Sequence, residues 1–247
     1  FFDTAFHAAL PEIARTLPLP EDLRADGIQR YGFHGLSCES ILHQLDNDVP
    51  DCVVIAHLGN GASVTAVKGG KSIDTSMGMT PTGGVIMGTR SGELDPGVLI
   101  DLAREKNFDA AILEDLVDRR SGLLGISDVS SDMRQLQQSA RSNPDARLAI
   151  DMFCYSVRKQ IAAMIAALEG IDLIVFTGGI GENDEHVRAL ICAGLAWTNI
   201  GLDEVRDQTA NNPISESKLP CRVLVLPSQE DEQIARHSWA LFPQSTP

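Results

Sequence analysis

Two spacings alternate along this chain. Short, largely apolar runs occupy 52–56 (Cys-Val-Val-Ile-Ala), 172–176 (Asp-Leu-Ile-Val-Phe) and 222–226 (Arg-Val-Leu-Val-Leu). Runs of that length, bounded by turn residues, predict strands covered on both faces. Segments 63–67 and 72–75 flank Gly69-Gly70 and predict a hairpin. Elsewhere apolar residues return at three- and four-residue steps, which predicts helices over about 37–45, 96–106, 109–119 and 146–168. In the last of these, Ile150, Phe153, Cys154, Val157, Ile161, Met164, Ile165 and Leu168 fall on one stripe that would face a core. A final helix is expected from Ser228, with Ser228 as N-cap and Asp231 at the third helical position. Residues 143–145 and 208–219 read as polar, turn-rich connections. Strands interleaved with helices make the class α/β, and the hairpin makes the sheet mixed.

Composition narrows the function classes. The 247 residues are 43% hydrophobic and 22% charged, an ordinary globular balance with ample chain for a core. Twenty Lys and Arg against 34 Asp and Glu give a net charge of −14. That field argues against nonspecific nucleic-acid binding and polybasic membrane attachment, while a locally basic pocket still admits a small anion. Cys38, Cys52, Cys154, Cys192 and Cys221 are odd in number and form no C-x-x-C pair. They predict core thiols in a reducing, cytoplasmic compartment rather than disulfides or a zinc site. No apolar run approaches membrane-spanning length. Phe1-Phe2-Asp3 has no initiator Met and no leader pattern, and the expectation is that the chain begins inside a longer protein.

Several turns carry candidate chemistry, each with a plainer alternative. His57-Leu58-Gly59-Asn60-Gly61-Ala62 follows a strand, and its small residues admit close approach to the backbone, either as a phosphate-holding turn or as a tight hairpin. Thr177-Gly178-Gly179-Ile180-Gly181-Glu182-Asn183 sits between a strand and a helix, where ligands bind α/β sheets, but lacks dinucleotide-binding spacing. Gly69-Gly70-Lys71-Ser72 imitates the end of a P-loop without its upstream glycine and reads as a hairpin turn. Arg90, between glycines and ahead of a helix at Pro96, either clamps an anion or pairs with Glu93 or Asp95. His34, in Gly32-Phe33-His34-Gly35, is either structural or functional, and Asp3 and His7 are equally open. Glu230-Asp231-Glu232 either complements a helix dipole or holds magnesium. Together these turns suit a phosphate-handling cleft better than a hydrolase, since neither G-x-S-x-G nor H-E-x-x-H occurs.

The stretches FDTAFH (2–7), RYGFHGLS (30–37), VIAHLGNGASVTAVKGGKSIDTSMGMTP (54–81), GTRSGELDPG (88–97), VFTGGIGEN (175–183) and LPSQEDEQIAR (226–236) together resemble the acetate kinase family, acetate and propionate kinases, nearly end to end. The resemblance implies the ASKHA fold (sugar kinase, Hsp70 and actin, ribonuclease H-like), with a mixed sheet flanked by helices. It implies magnesium-dependent transfer of the ATP γ-phosphoryl group to acetate, giving acetyl phosphate and ADP. Carried over by position, Asp3, His34 and Arg90 would be catalytic and Glu230 would hold magnesium. His57, Asn60 and Gly61 would line the phosphate path. Gly179, Ile180 and Asn183 would border adenosine, with Asp132, Met133 and Arg134 opposite; the family often has Phe where Met133 stands. Phe33 and Pro81 would contact the acetate methyl. The chain would comprise the end of an N-terminal domain (1–12), a nucleotide-binding domain (13–228) and a returning helix (229–247). The rest of that N-terminal domain, with an Asn, an Arg and a His of the site, would lie outside it, leaving the chain alone nearly inactive. Exposed apolar residues on the final helix, Ile234, Trp239, Leu241 and Phe242, are expected to follow. A homodimer is implied. Propionate kinase, a noncatalytic nucleotide-binding module and a butyrate-kinase relative stand as alternatives.

Overall fold

The computed structural model describes residues 2–241. Five strands, β1 (Cys52–Leu58), β2 (Ala62–Lys68), β3 (Lys71–Thr75), β4 (Leu173–Thr177) and β5 (Arg222–Val225), form one sheet in the order β3-β2-β1-β4-β5. The β1–β2 and β2–β3 pairs are antiparallel, whereas β1–β4 and β4–β5 are parallel. The sheet is therefore mixed, as the hairpin predicted. Gly69 and Gly70 turn the chain between β2 and β3 with φ of 53° and 75°, so the Gly-Gly-Lys-Ser run is a hairpin turn.

Side chains of a strand alternate between its faces, and β1 is buried on both. Val54, Ala56 and Leu58 join the larger core with Phe153, Val157, Ile161, Met164 and Leu168 of the Pro144–Leu168 helix. Val53 and Ile55 join a second core with Cys38, Ile41 and Leu45 of the Gly35–Leu45 helix. Cys38, Cys154, Cys192 and Cys221 are buried, and none of the five cysteines is disulfide-bonded. No helix among the described residues is long and apolar enough to cross a membrane.

Three boundaries differ from the sequence expectation. The long helix begins at Pro144, because Asn143 caps it by accepting the N–H groups of Asp145 and Ala146, so 143–145 is a helix start rather than a connection. The helix expected from 37 begins at Gly35, behind a left-handed His34. Its capping carboxylate comes from Asp3, far outside any local pattern. Ser228 does not cap the last helix, which runs Glu230–Ala240 with Gln229 at the N-cap position and no side-chain cap bond. Asp231 is consequently its second residue. The Ser228 hydroxyl faces Ser37 and Glu230 instead. On this helix Ile234, Trp239 and Leu241 are exposed, while Phe242 lies outside the described residues.

Candidate active site

Register alone assembles the centre of the site. His57 is opposite Ser63 on β2 and beside Thr177 at the end of β4. The Gly59-Asn60-Gly61 turn and the Gly178–Asn183 helix thus leave the sheet at the same level. Two loops then lean onto the turn. The first carries His34, whose backbone N–H donates to Asp3 Oδ2 at 2.7 Å and whose Nδ1 lies 2.9 Å from Ser63 Oγ. The second carries Arg90. Gly88 N–H donates to Asn60 O at 3.0 Å, and Leu123 N–H donates to Met87 O at 2.8 Å. Gly122 makes that bracing possible: its φ is +61°, and a Cβ there would sit 2.2 Å from Met87 O.

The two loops converge above Gly61. A Cβ added at Gly61 would lie 3.2 Å from His34 Nε2 and 3.3 Å from Arg90 Nη1, so the glycine leaves an atom-sized space between a guanidinium and an imidazole. No carboxylate among the described residues forms an ion pair with Arg90, which removes the pairing with Glu93 or Asp95; Asp95 instead caps the Pro96–Glu105 helix. Burial pushes the His34 pKa down to about 4; nearby Asp3 opposes that shift, and Arg90 and His7 reinforce it. Burial pushes His57 to about 3, with His34 adding to the effect. Both rings are neutral at pH 7, and the Arg90 guanidinium supplies fixed positive charge beside this space.

Both oxygens of Asp3 are engaged by the backbone. Oδ2 accepts His34 N–H and Oδ1 accepts Leu36 N–H at 3.2 Å. Its visible work is to hold the left-handed turn that aims His34. Glu230 is raised in pKa, first by burial and then by the charges of Asp3 and Asp231, against a lowering bond from Ser228. Carboxylates crowded in this way favour a hard cation, and oxygen donors suit magnesium. Among the described residues no group of three or more His, Cys, Asp or Glu could hold a metal. Such an ion would complete its shell with water and phosphate oxygens, the usual habit of magnesium.

A cavity of about 540 Å³ opens beside this centre. Seven of the sequence candidates line it: Asn60, Asp132, Met133, Arg134, Gly179, Ile180 and Asn183. Met133 is also packed into the larger core, so its side of the pocket is rigid. Asp132 is drawn below the usual carboxylate range by its bonds to Arg134, at 2.7 Å between Oδ2 and Nη2. Phe33 and Pro81 do not line the cavity. Phe33 packs on the core and its carbonyl accepts from His7 Nε2, and Pro81 is a half-buried turn residue.

Sequence reasoning missed part of the cavity wall. Gln137 donates to Asp184 Oδ2 at 2.7 Å, tying two walls together. Asp184 was findable, because it caps the Glu185–Ala193 helix by accepting Val187 N–H. Gln137 was not, since nothing in sequence pairs positions 47 residues apart.

Known proteins resemble this chain nearly end to end. The family model described as the Acetokinase family matches residues 1–236. The acetate kinase of Thermosynechococcus vestitus is 48% identical over 95% of this chain and 58% of its own length. That of Methylocella silvestris is 44% identical over 98% of this chain and 61% of its own. The chain thus spans about three fifths of such relatives. Porphyromonas gingivalis acetate kinase superimposes with a TM-score of 0.91 at 37% identity, covering 97% of this chain and 63% of that one. A propionate kinase from Francisella tularensis gives 0.92 at 36%, covering 98% and 64%. The fold is accordingly of the ASKHA type, and the chain belongs to the acetokinase family.

Proposed function

We propose that this chain carries the nucleotide and phosphoryl half of an acetate kinase, which moves the ATP γ-phosphoryl group to acetate and back from acetyl phosphate to ADP. The observation that carries the reading is the convergence of Arg90 Nη1 and His34 Nε2 on Gly61, at the edge of the cavity. Adenosine would occupy the cavity against Ile180, Gly179 and Met133, with Asn183, Asp132 and Arg134 at its rim. The phosphates would run past Asn60 and Gly61, with His57 alongside, toward Arg90.

Phosphoryl transfer asks for positioning and for positive charge on the moving group. Arg90 stays charged at any working pH and offers paired donors to the phosphoryl oxygens. Neutral His34 contributes a directed hydrogen bond rather than charge, and Asp3 fixes its turn. Magnesium held through Glu230, with Asp3 nearby, would neutralise phosphate charge. Phe33 and Pro81 would meet the methyl of acetate. The two solved relatives match almost equally, and phosphoryl transfer assayed with acetate and with propionate decides between the two. One methylene changes selectivity by only about 1–3 kcal/mol.

In this reading residues 1–12 close a domain whose remainder lies in the other two fifths of such a protein, 13–228 form the nucleotide-binding domain, and 229–247 return toward the first. Groups from that remainder complete the acid site. A cytoplasmic homodimer is part of the same proposal. The test is calorimetric titration with ADP and ATP, with and without magnesium. Saturable binding that weakens in Asn183→Ala supports the reading. A folded chain that binds neither nucleotide overturns it in favour of a noncatalytic module.

A further inference from the structure

Two segments far apart along the chain donate to the same side-chain oxygen. Glu182 Oε1 accepts the N–H of Gly178 at 2.9 Å and the N–H of Ser228 at 2.9 Å. Gly178 opens the glycine helix Gly178–Asn183, to which Glu182 itself belongs. Ser228 stands just before Glu230, the first residue of the final helix. The local cap of the glycine helix is idle. Thr177 occupies the N-cap position but makes no side-chain cap bond, and its buried hydroxyl has no hydrogen-bond partner among the described residues. Gly178 is seated tightly, with φ of +77° and a Cβ position only 2.8 Å from Leu58 O, so its N–H keeps a fixed direction.

The two segments differ in how firmly they are held. The glycine helix is anchored at its far end by the buried Arg188, which donates to Gly181 O at 2.9 Å and Glu182 O at 3.1 Å. The final helix has no buried residue. It leans on the Gly35–Leu45 helix through polar contacts that include Gln229 N–H to Ser40 Oγ at 3.2 Å and Gln233 Nε2 to Glu39 Oε2 at 3.1 Å. An element with few buried apolar contacts opens locally with little free energy. We propose that Glu182 is a positioning residue, a clasp through which a nucleotide seated on the glycine helix orders the segment that presents Glu230.

Gly179, Ile180 and Asn183 of the glycine helix line the cavity, whereas Glu182 and the described residues of the final helix do not. A ligand in the cavity therefore touches one side of the clasp only. Ordering the glycine helix fixes Glu182 Oε1, and a fixed acceptor holds the Ser228 N–H and with it the start of the final helix. Coupling of this kind is reciprocal, so a firmly docked final helix also favours the ligand. This inference deepens the proposed function and rests on it for the nucleotide, but the clasp itself is measurable without one.

Hydrogen–deuterium exchange of the 247-residue chain, read by mass spectrometry, tests both parts. Without nucleotide, Glu182→Ala is expected to speed exchange in 178–183 and 228–241 together and to leave β1 unchanged. Glu182→Gln keeps an acceptor oxygen at the same reach and should match wild type. Acceleration confined to one segment, or spread to β1, overturns the clasp. With saturating ADP, exchange across 228–241 should slow about fivefold in wild type and Glu182→Gln, and stay unchanged in Glu182→Ala. Bound ADP that leaves 228–241 of the wild type unprotected, or equal protection in Glu182→Ala, overturns the proposal. A wild type that binds no ADP counts against the nucleotide reading instead, and the ligand-free comparison then decides the clasp. If Glu182→Ala fails to fold, the wild-type response to ADP decides it.

Discussion

The rings of His34 and His57 stack with centroids 4.2 Å apart and planes 21° from parallel. They arrive from different elements, His34 from a left-handed turn and His57 from the end of β1. Burial disfavours charge on both rings, and the neighbouring His34 adds to the effect at His57.

That pairing sets a pH dependence. His7, bonded to Ser72 and to Phe33 O, is also lowered by burial. A histidine depressed in the fold takes up its proton first in the unfolded chain. Between the ordinary 6.5 and the folded values of about 4 and about 3, the unfolded state holds more protons. Stability therefore falls as pH drops through that window and is unaffected above it. The urea midpoint is expected to decline from pH 7 toward pH 4.5. His57→Gln should make the decline shallower, and an equal slope in the variant would contradict the assignment.

Gly61→Ala tests the space between Arg90 and His34. The new methyl would stand 3.2 Å from one and 3.3 Å from the other, in the cleft rather than the core. ATP binding is expected to weaken about tenfold, ~1.4 kcal/mol, with ADP less affected and the melting temperature nearly unchanged. Equal loss for both nucleotides would place the γ-phosphate elsewhere.

Arg188 and Asp207 form a buried ion pair, with side chains 2% and 5% exposed and 2.6 Å between Nε and Oδ1. Arg188 also donates to the carbonyls of Gly181 and Glu182 at the end of the glycine helix. Arg188→Met should cost ~3–5 kcal/mol because Asp207 is left buried without its cation. Adding Asp207→Leu should recover much of that loss in urea unfolding. ADP affinity should stay reduced in both variants, since the carbonyls remain without their donor. Full recovery of affinity in the double variant would limit Arg188 to stability.

Purified alone, the 247-residue chain is expected to bind nucleotide yet form acetyl phosphate slowly. About two fifths of the length of the relatives it matches lies outside the match, and loss of even one transition-state donor costs ~10²–10³ in rate. A coupled assay for acetyl phosphate decides this. Robust turnover, abolished by Arg90→Ala, would mean that this chain already contains the whole catalytic set.

Local chemistry made much of this molecule legible. The apolar runs around Val53–Ile55, Leu173–Phe176 and Val223–Val225 found the three parallel-paired strands, because burial on both faces leaves no room for polar residues. The stripe from Ile150 to Leu168 found the long helix, and the Gly-Gly turn found the hairpin. The glycine-bounded motifs carried the family resemblance, because turns with close backbone approach tolerate few residue types.

What sequence alone determined, then, is the strands, the longer helices and the residue types at the turns, since these follow from periods of two and 3.6 and from allowed backbone angles, whereas short helices such as Gly122–Ser127 and Met133–Ser139 carry too few turns to show a period. Only tertiary structure decided who meets whom. Sheet order brought the ends of β1 and β4 to one level, Asp3 capped a helix 31 residues away, and Ser228 turned from a local cap toward Ser37. Those pairings depend on distances through space between groups far apart along the chain, and no local pattern encodes such a distance.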